Sequence, residues 1–258
     1  MKKWTSQWTR VSQEIRNISF RLFLFDVDGT LAPLAPTPAL ARISPSVRKL
    51  LKRLANKKKN VVGIISGRSL QDARRMVNLS GLVYAGNHGL EIRGDGKTFV
   101  HPQANSRARF LPNLTKSLKW PLSSIGGVLV ENKGLSLSIH YRLVKIKNIP
   151  IVKKTVQDVM RAFKQKKYFS LSVGKKVIEI RPRINWNKGS AVKQFRKLVP
   201  EKAITVFVGD DVTDEDAFRV LKKKDFGVRI GESRHSKASL YLNSQREIVS
   251  LLQRLVTL

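Results

Sequence analysis

Two apolar runs that end in carboxylates constrain this chain more than any other feature. FRLFLF (20–25) leads into Asp26 and Asp28, and ITVFVG (204–209) leads into Asp210, Asp211, Asp214, Glu215 and Asp216. A continuous apolar run suits a strand buried on both faces of a parallel sheet. Ligands of such sheets gather beyond the carboxyl ends of the strands, so both acidic knots are expected on one rim. Together they hold seven of the 18 acidic residues, in a chain with 50 Lys and Arg and a formal charge of +32. That concentration implies a cation site assembled from distant segments.

Between the knots the pattern is first β-α-β-α-β. Ser44 reads as an N-cap and Pro45 as the first residue of a helix to about Ala55. VVGIIS (61–66) is a second buried strand, Leu70 to Val77 a helix, and LVYA (82–85) a third strand. From 101 to 182 the residues mostly alternate, in GVLVE (127–131), LSLSIHY (135–141), YFSLSV (168–173) and KVIEIRP (176–182), around one helix at roughly 150–165. Leu135, Leu137, Ile139 and Tyr141 point one way. Ser136, Ser138, His140 and Arg142 point the other, which predicts a sheet with one solvated face. The α/β pattern then resumes, with a helix from Lys188, the strand into Asp210, a helix over TDEDAFRVLKK, two short strands and a closing helix at 244–257.

The predicted fold class is α/β, a doubly wound parallel-sheet core (20–100 plus 183–258) with an inserted smaller α+β cap domain (101–182). In residues 1–19, Trp4, Trp8, Val11, Ile15 and Ile18 recur at helical spacing. They read as an amphipathic helix packed on the core, with a membrane-surface anchor as the alternative.

Composition narrows the function classes. With 41% hydrophobic and 26% charged residues the chain is globular. Cysteine is absent, which excludes disulfides, thiolate catalysis and Cys-ligated zinc. No window is apolar enough for a membrane span, and no apolar run follows MKKWTSQWTR, so no secretory signal is expected. The Lys clusters at 57–59, 164–167 and 222–224 are scattered. A generally basic surface is therefore expected, with nucleic-acid binding a distant alternative that the charge does not exclude.

The residue types on the rim define a chemistry. Closely spaced carboxylates repel unless a divalent ion lies between them, and oxygen-only donors suit Mg2+. An Asp nucleophile splits a phosphoryl transfer into two easier steps, and a second Asp two residues on can serve as acid and then base. Ser66, after a strand, and Lys188, before a helix, suit the non-bridging phosphate oxygens.

At this point DVDGT (26–30), Ser66-Gly67-Arg68, Lys188 and GDDVTDED (209–216) resemble the four ordered motifs of haloacid dehalogenase-type phosphatases. The resemblance implies Asp26 as nucleophile and Asp28 as acid/base, with Mg2+ held by the Asp26 carboxylate, the Asp28 carbonyl and Asp210. Asp211 and Asp214 are direct or outer supports, unranked. Only 35 residues (31–65) separate Thr30 from Ser66, so a cap fits only between Ser66 and Lys188, the arrangement of the sugar-phosphatase branch. Within it, ISGRSLQDARRMV, YAGNHGLEIR, VENKGLSLSIHYR and VIEIRPRINWNKG resemble the trehalose-6-phosphate phosphatase family. That resemblance implies Glu131, Lys133 and Glu179 on sugar hydroxyls, with Arg68 and the Asn87-His88-Gly89 turn lining the site. His140 and Arg142 either join them or belong to the solvated face.

The expected activity is hydrolysis of trehalose 6-phosphate, the last step of trehalose biosynthesis, through an aspartyl-phosphate. Sucrose phosphate or mannosyl-3-phosphoglycerate is the alternative substrate, and a nucleic-acid-binding protein on a phosphatase scaffold the distant one. A separate synthase and a cytoplasmic location are expected with it.

Overall fold

The apolar runs become neighbouring strands in the computed structural model, which describes residues 1–94 and 96–258. In chain order the elements begin β1 (Lys2–Lys3), α1 (Trp8–Arg16), β2 (Arg21–Phe25), α2 (Pro45–Ala55), β3 (Asn60–Ile65), α3 (Leu70–Val77), β4 (Val83–Gly86), β5 (Glu91–Gly94) and β6 (Lys97–Val100). Next come α4 (Pro102–Ala108), α5 (Leu111–Leu122), β7 (Leu129–Asn132), β8 (Leu137–His140), α6 (Ile149–Ala162), β9 (Phe169–Gly174) and β10 (Val177–Pro182). The chain closes with α7 (Lys188–Arg196), β11 (Ile204–Gly209), α8 (Glu215–Arg219), β12 (Phe226–Ile230), β13 (Leu240–Leu242) and α9 (Ile248–Val256). Contacts divide it into one unit of residues 1–34, 41–99 and 186–258 and a second of 35–40 and 100–185.

The first unit is built on a sheet of order β1-β13-β12-β11-β2-β3-β4-β5-β6. From β1 to β4 its strands are parallel, and β5 runs antiparallel to β4. Alternate residues of the central strands fill two cores. Phe23, Phe25, Ile64, Val206 and Val208 pack with residues of α1, α2 and α9. Leu22, Leu24, Ile65 and Phe207 pack with residues of α7 and α8. Both faces are thus apolar, which is why the strands read as unbroken runs. Each such side chain contributes about 1.5–3 kcal/mol by leaving water. The helix starts are where the sequence puts them: Ser44 Oγ accepts from Val47 N (3.3 Å) with Pro45 following, and Ser69 Oγ accepts from Asp72 N (3.2 Å).

Residues 1–16 belong to this unit. Lys2 and Lys3 pair with β13. Trp4, Val11 and Ile15 are buried, and Trp4 Nε1 donates to Glu247 Oε2 (2.9 Å). The apolar stripe predicted here is used up in packing, so a membrane anchor at 1–19 is corrected. Among the described residues no helix is long and apolar enough to cross a membrane.

The second unit is an antiparallel sheet of order β7-β8-β10-β9. Its core joins Leu137, Ile139, Ile178 and Ile180 to Leu111, Leu114, Leu118 and Leu122 of α5 and Val152, Val156 and Met160 of α6. Three expectations need correction. The region holds three α-helices where one was expected. Pro112 and Pro121 obscure the leucine spacing of α5, yet Pro112 lies in the first turn, where its missing N–H costs nothing, and Pro121 is next to the helix end. Ser136 and Ser138 are 1% exposed, so their side of β8 is not solvated; the buried pair Lys133–Glu179 lies beside Ser138. Finally, the helix over TDEDAFRVLKK shrinks to α8. Asp225 accepts from Lys222 N (2.7 Å) and Thr205 N (2.9 Å) and draws the chain back toward β11.

Trp4→Ala is expected to cost about 3–5 kcal/mol in urea unfolding, the usual range for a buried Trp. A loss below about 1 kcal/mol would mean that residues 1–16 only rest on the surface.

Candidate active site

The carboxylate cluster is built by two adjacent strands ending together. Asp26 N donates to Val208 O (2.9 Å), continuing the β2–β11 ladder, so Asp26 leaves β2 beside the point where β11 delivers Asp210. The chain after β11 then folds back on itself: Asp214 Oδ2 accepts from Asp210 N and Asp211 N, both at 2.9 Å. Asp26, Asp210 and Asp214 are all buried, and each offers an oxygen within 4.8 Å of the others. Gly29 makes this closeness possible. Its φ is +83°, and a Cβ there would lie 2.3 Å from Asp210 Oδ2.

Lys188 ties the cluster to α7. It is the first residue of that helix, fixed by a reciprocal cap in which Ser190 N donates to Asn187 Oδ1 (3.1 Å) and Asn187 N to Ser190 Oγ (3.4 Å). Its Nζ donates to Asp26 Oδ1 (2.7 Å) and Asp214 Oδ1 (2.6 Å). Burial by itself would depress the Lys188 pKa, but Asp214 and Asp26 hold it above the ordinary lysine value. Burial raises the Asp26 carboxyl well above its ordinary value. Lys188 opposes that shift, while Asp214 and Asp210 reinforce it. Three buried carboxylates face one ammonium, so the cluster carries an excess of negative charge. Its donors are all hard oxygens, the set that divalent cations such as Mg2+ and Ca2+ take, so the residues present fit a metal ion.

The structure separates the two candidates that sequence left unranked. Asp214 is inside the cluster; Asp211 is partly exposed and its side chain caps the turn that Asp214 closes. Asp28 is also outside. Its carboxylate accepts two bonds of 2.7 Å from Nε and Nη2 of Arg68, and Arg68 reaches Asp72 on α3 as well. Burial opposes the Arg68 charge, but Asp28 and Asp72 together raise its pKa above the ordinary arginine value.

Ser66 directly follows β3, its N–H donating to Ala85 O (2.9 Å), and its Oγ accepts from Arg68 N (3.2 Å). The neighbouring turn presses on it. Asn87, His88 and Gly89 have φ of 48°, 58° and 96°, and the bonds Asn87 N→Arg68 O (2.6 Å) and His88 N→Ser66 O (2.9 Å) hold them there. A Cβ on Gly67 would lie 2.8 Å from His88 Cε1, so the imidazole lies directly on that glycine. Sequence reasoning missed two supports. Glu91 Oε1 accepts from Asn87 Nδ2 and Leu70 N, both 2.7 Å, and Trp186 Nε1 donates to Gly89 O (2.6 Å). Glu91 lies four residues after Asn87 within YAGNHGLEIR, which is the signal that could have found it.

Within the second unit, Lys133 Nζ donates to Glu179 Oε1 (3.0 Å), both residues buried. Glu131 Oε2 meets His140 Nε2 (2.8 Å) across β7 and β8. Arg142 stands apart: it is exposed and donates to Lys175 O (2.9 Å).

The profile of the trehalose-phosphatase family matches residues 24–246. Probable trehalose-phosphate phosphatase D of Arabidopsis thaliana is 34% identical over 251 residues, covering 91% of this chain and 67% of that protein. Probable trehalose-phosphate phosphatase 4 of Oryza sativa subsp. japonica is 34% identical over 261 residues, covering 97% and 70%. The chain therefore spans about two thirds of the length of these relatives. Among solved structures, the C-terminal domain of a Candida albicans trehalose-6-phosphate phosphatase superposes with a TM-score of 0.82 at 24% identity, covering 97% of this chain and 96% of that one. An Aspergillus fumigatus trehalose-6-phosphate phosphatase gives 0.64 at 26% identity, covering 96% and 97%.

A cation entering the cluster competes with the proton that burial favours on Asp26. Binding of a divalent ion should therefore release protons below the raised Asp26 pKa, and affinity should rise with pH through that range. Calorimetry in buffers of differing ionisation enthalpy reads the release directly, and no release at any pH where the protein is folded would contradict the cluster's role. Gly29→Ala should weaken the ion roughly 10- to 100-fold by displacing Asp210.

Proposed function

This chain belongs to the trehalose-phosphatase family, and on that premise we propose that it hydrolyses trehalose 6-phosphate to trehalose and phosphate, with Asp26 as the covalent nucleophile. The observation that carries the reading is the Lys188 bridge: one ammonium orients Asp26 from Oδ1 and leaves the buried cluster short of positive charge. Mg2+ is the ion we assign to Asp26, Asp210 and the Asp28 carbonyl, with Asp214 holding Lys188 and the Asp210 turn. When bound, it would screen the phosphate against the attacking carboxylate.

The remaining steps belong to the chain's own residues. Asp26 Oδ2 attacks phosphorus, the bond from phosphorus to the sugar oxygen breaks, and Asp28 gives its proton to that oxygen. This leaves an aspartyl-phosphate and free trehalose. Asp28, now a carboxylate, takes a proton from water as the water oxygen attacks phosphorus, and inorganic phosphate leaves Asp26. Ser66 and Lys188 donate to the phosphate oxygens through both steps.

Recognition of the disaccharide is assigned to the second unit. Lys133 and Glu179 offer a donor and acceptors already fixed to one another, and Glu131 is held by His140, so paired sugar hydroxyls meet groups that need little further ordering. Asn87, His88 and Gly89 line the phosphate side. Arg68 acts through Asp28, and Arg142 has no place in this reading. The substrate is a charged disaccharide that does not cross bilayers, so a glycosyl-transfer reaction must supply it in the same compartment, which we take to be the cytoplasm.

Phosphate release with Mg2+ across trehalose 6-phosphate, sucrose 6-phosphate, glucose 6-phosphate and mannosyl-3-phosphoglycerate tests the reading. Trehalose 6-phosphate should be preferred, activity should stop with a chelator and return with Mg2+, and Asp26→Asn should lower the rate roughly 1,000-fold or more. Preference for another sugar would overturn the substrate, and a near-wild-type Asp26→Asn rate would overturn the nucleophile. Glu131→Ala should raise KM for the disaccharide and leave an aryl phosphate nearly unchanged; equal effects on both would remove Glu131 from sugar reading.

A further inference from the structure

The second unit is far more basic than its chemistry requires, and its charge is not evenly spread. Residues 100–185 contain 18 Lys and Arg against Glu131, Asp158 and Glu179. Glu179 is paired with Lys133, Glu131 with His140, and Asp158 with Lys154 and Arg161.

The topology gathers three unbalanced segments at one end of the sheet. Leu129 at the start of β7 lies opposite His140 at the end of β8, and His140 lies opposite Val177 at the start of β10. The end of α5, the loop after it, the 141–148 segment, the first turn of α6 and the β9–β10 turn therefore meet there. Tyr141 N donates to Lys176 O (3.1 Å), and a Cβ on Gly127 would lie 2.4 Å from Leu143 O, so these pieces touch. β10 runs away from this end toward Pro182, where the chain soon leaves the unit. The stretches at that end, 119–130, 141–152 and 173–178, hold six Lys and Arg (Lys119, Arg142, Lys145, Lys147, Lys175 and Lys176) and no Asp or Glu.

Large apolar side chains project among those cations. Trp120 is 81% exposed, Ile146 85%, Leu143 56% and Ile151 52%. Lys119, Lys145 and Lys147 flank them and are exposed too. Soluble surfaces seldom combine projecting aliphatic side chains, a Trp and same-sign charge without a partner.

We propose that this end of the second unit is a docking surface for an anionic lipid bilayer. Trp120, Leu143, Ile146 and Ile151 enter the boundary between headgroups and acyl chains, and the surrounding lysines meet anionic headgroups. The chemistry separates this occupant from others. A second copy of the chain brings the same positive charge and is repelled. A nucleic acid would use the lysines, but its bases stack on aromatic rings, of which only Trp120 projects here, and its phosphates gain nothing from Leu143, Ile146 and Ile151. The surface uses none of the residues assigned to phosphate release, so the proposal stands apart from the reading of the active site.

Sedimentation of the full chain with vesicles tests it, comparing phosphatidylcholine alone with phosphatidylcholine plus phosphatidylserine. The protein should partition only onto the anionic vesicles, less as salt rises, with a blue shift of tryptophan emission. Trp120→Ala combined with Ile146→Ala should weaken partition about tenfold or more while phosphate release and the far-ultraviolet spectrum stay as in the parent. Lys145→Glu with Lys147→Glu should act in the same direction. No partition onto either vesicle overturns the proposal. So does equal partition of the Trp120→Ala/Ile146→Ala variant, which would reduce the effect to general charge. Duplex DNA that strips the protein from vesicles and binds that variant undiminished would assign the face to nucleic acid instead.

Discussion

The ammonium of Lys188, buried between Asp26 and Asp214, is the interaction on which this architecture turns. Its two bonds join the end of β2, the turn after β11 and the start of α7, three pieces of chain that the sheet brings to one rim. Breaking a buried pair by deleting one partner costs about 3–5 kcal/mol, because the charge left behind is unpaired. Here three carboxylates would be left. The bridge therefore couples these three pieces of chain at the rim. It also fixes the rotamer of Asp26 and keeps one of its oxygens on a donor. The α7 N-terminus adds a partial positive charge at the same place, and the Asn187–Ser190 cap keeps that helix start in register.

What could be read in advance depended on how local the cause was. Strands β2 and β11 are apolar on both faces because helices cover both, so their runs and their carboxylate ends were plain. Ser44 before Pro45 and Ser69 before Leu70 mark helix starts through bonds spanning three residues. The cap helix α5 was hidden because prolines interrupt a leucine pattern that is otherwise regular. The burial of Ser138 could not be inferred, since it depends on Lys133 pairing with Glu179 some 46 positions away. Arg68 was expected to line the site, but its bond to Asp28, 40 positions upstream, could not be read in advance. Bonds of that separation leave no periodic trace.

Arg68 also gives the rim an order that motif spacing lacks. Asp28 and Asp26 are two residues apart, yet their carboxylates have separate cationic partners: Asp26 takes Lys188, and Asp28 takes the fork of Arg68 at two equal distances. A bidentate guanidinium restricts orientation as well as position, and Arg68 is itself braced by Asp72 from the first turn of α3. The proposed nucleophile and the proposed acid/base are thus kept from sharing one cation, which suits two neighbouring aspartates to different roles.

The chain's large positive charge and its acidic rim act on a phosphate in opposite directions. At long range the excess of Lys and Arg draws a phosphate dianion toward the protein. At contact, Asp26, Asp210 and Asp214 outnumber the one ammonium among them, and a dianion approaching that cluster is repelled at distances where water no longer screens it. Only a cation on the carboxylates reverses the sign at contact. With the proposed ion, attraction to the protein would be independent of it, while occupancy of the rim would be conditional on it. On the proposed reading, the buried excess of negative charge, unfavourable to the fold on its own, would make phosphate binding and cation binding one linked event.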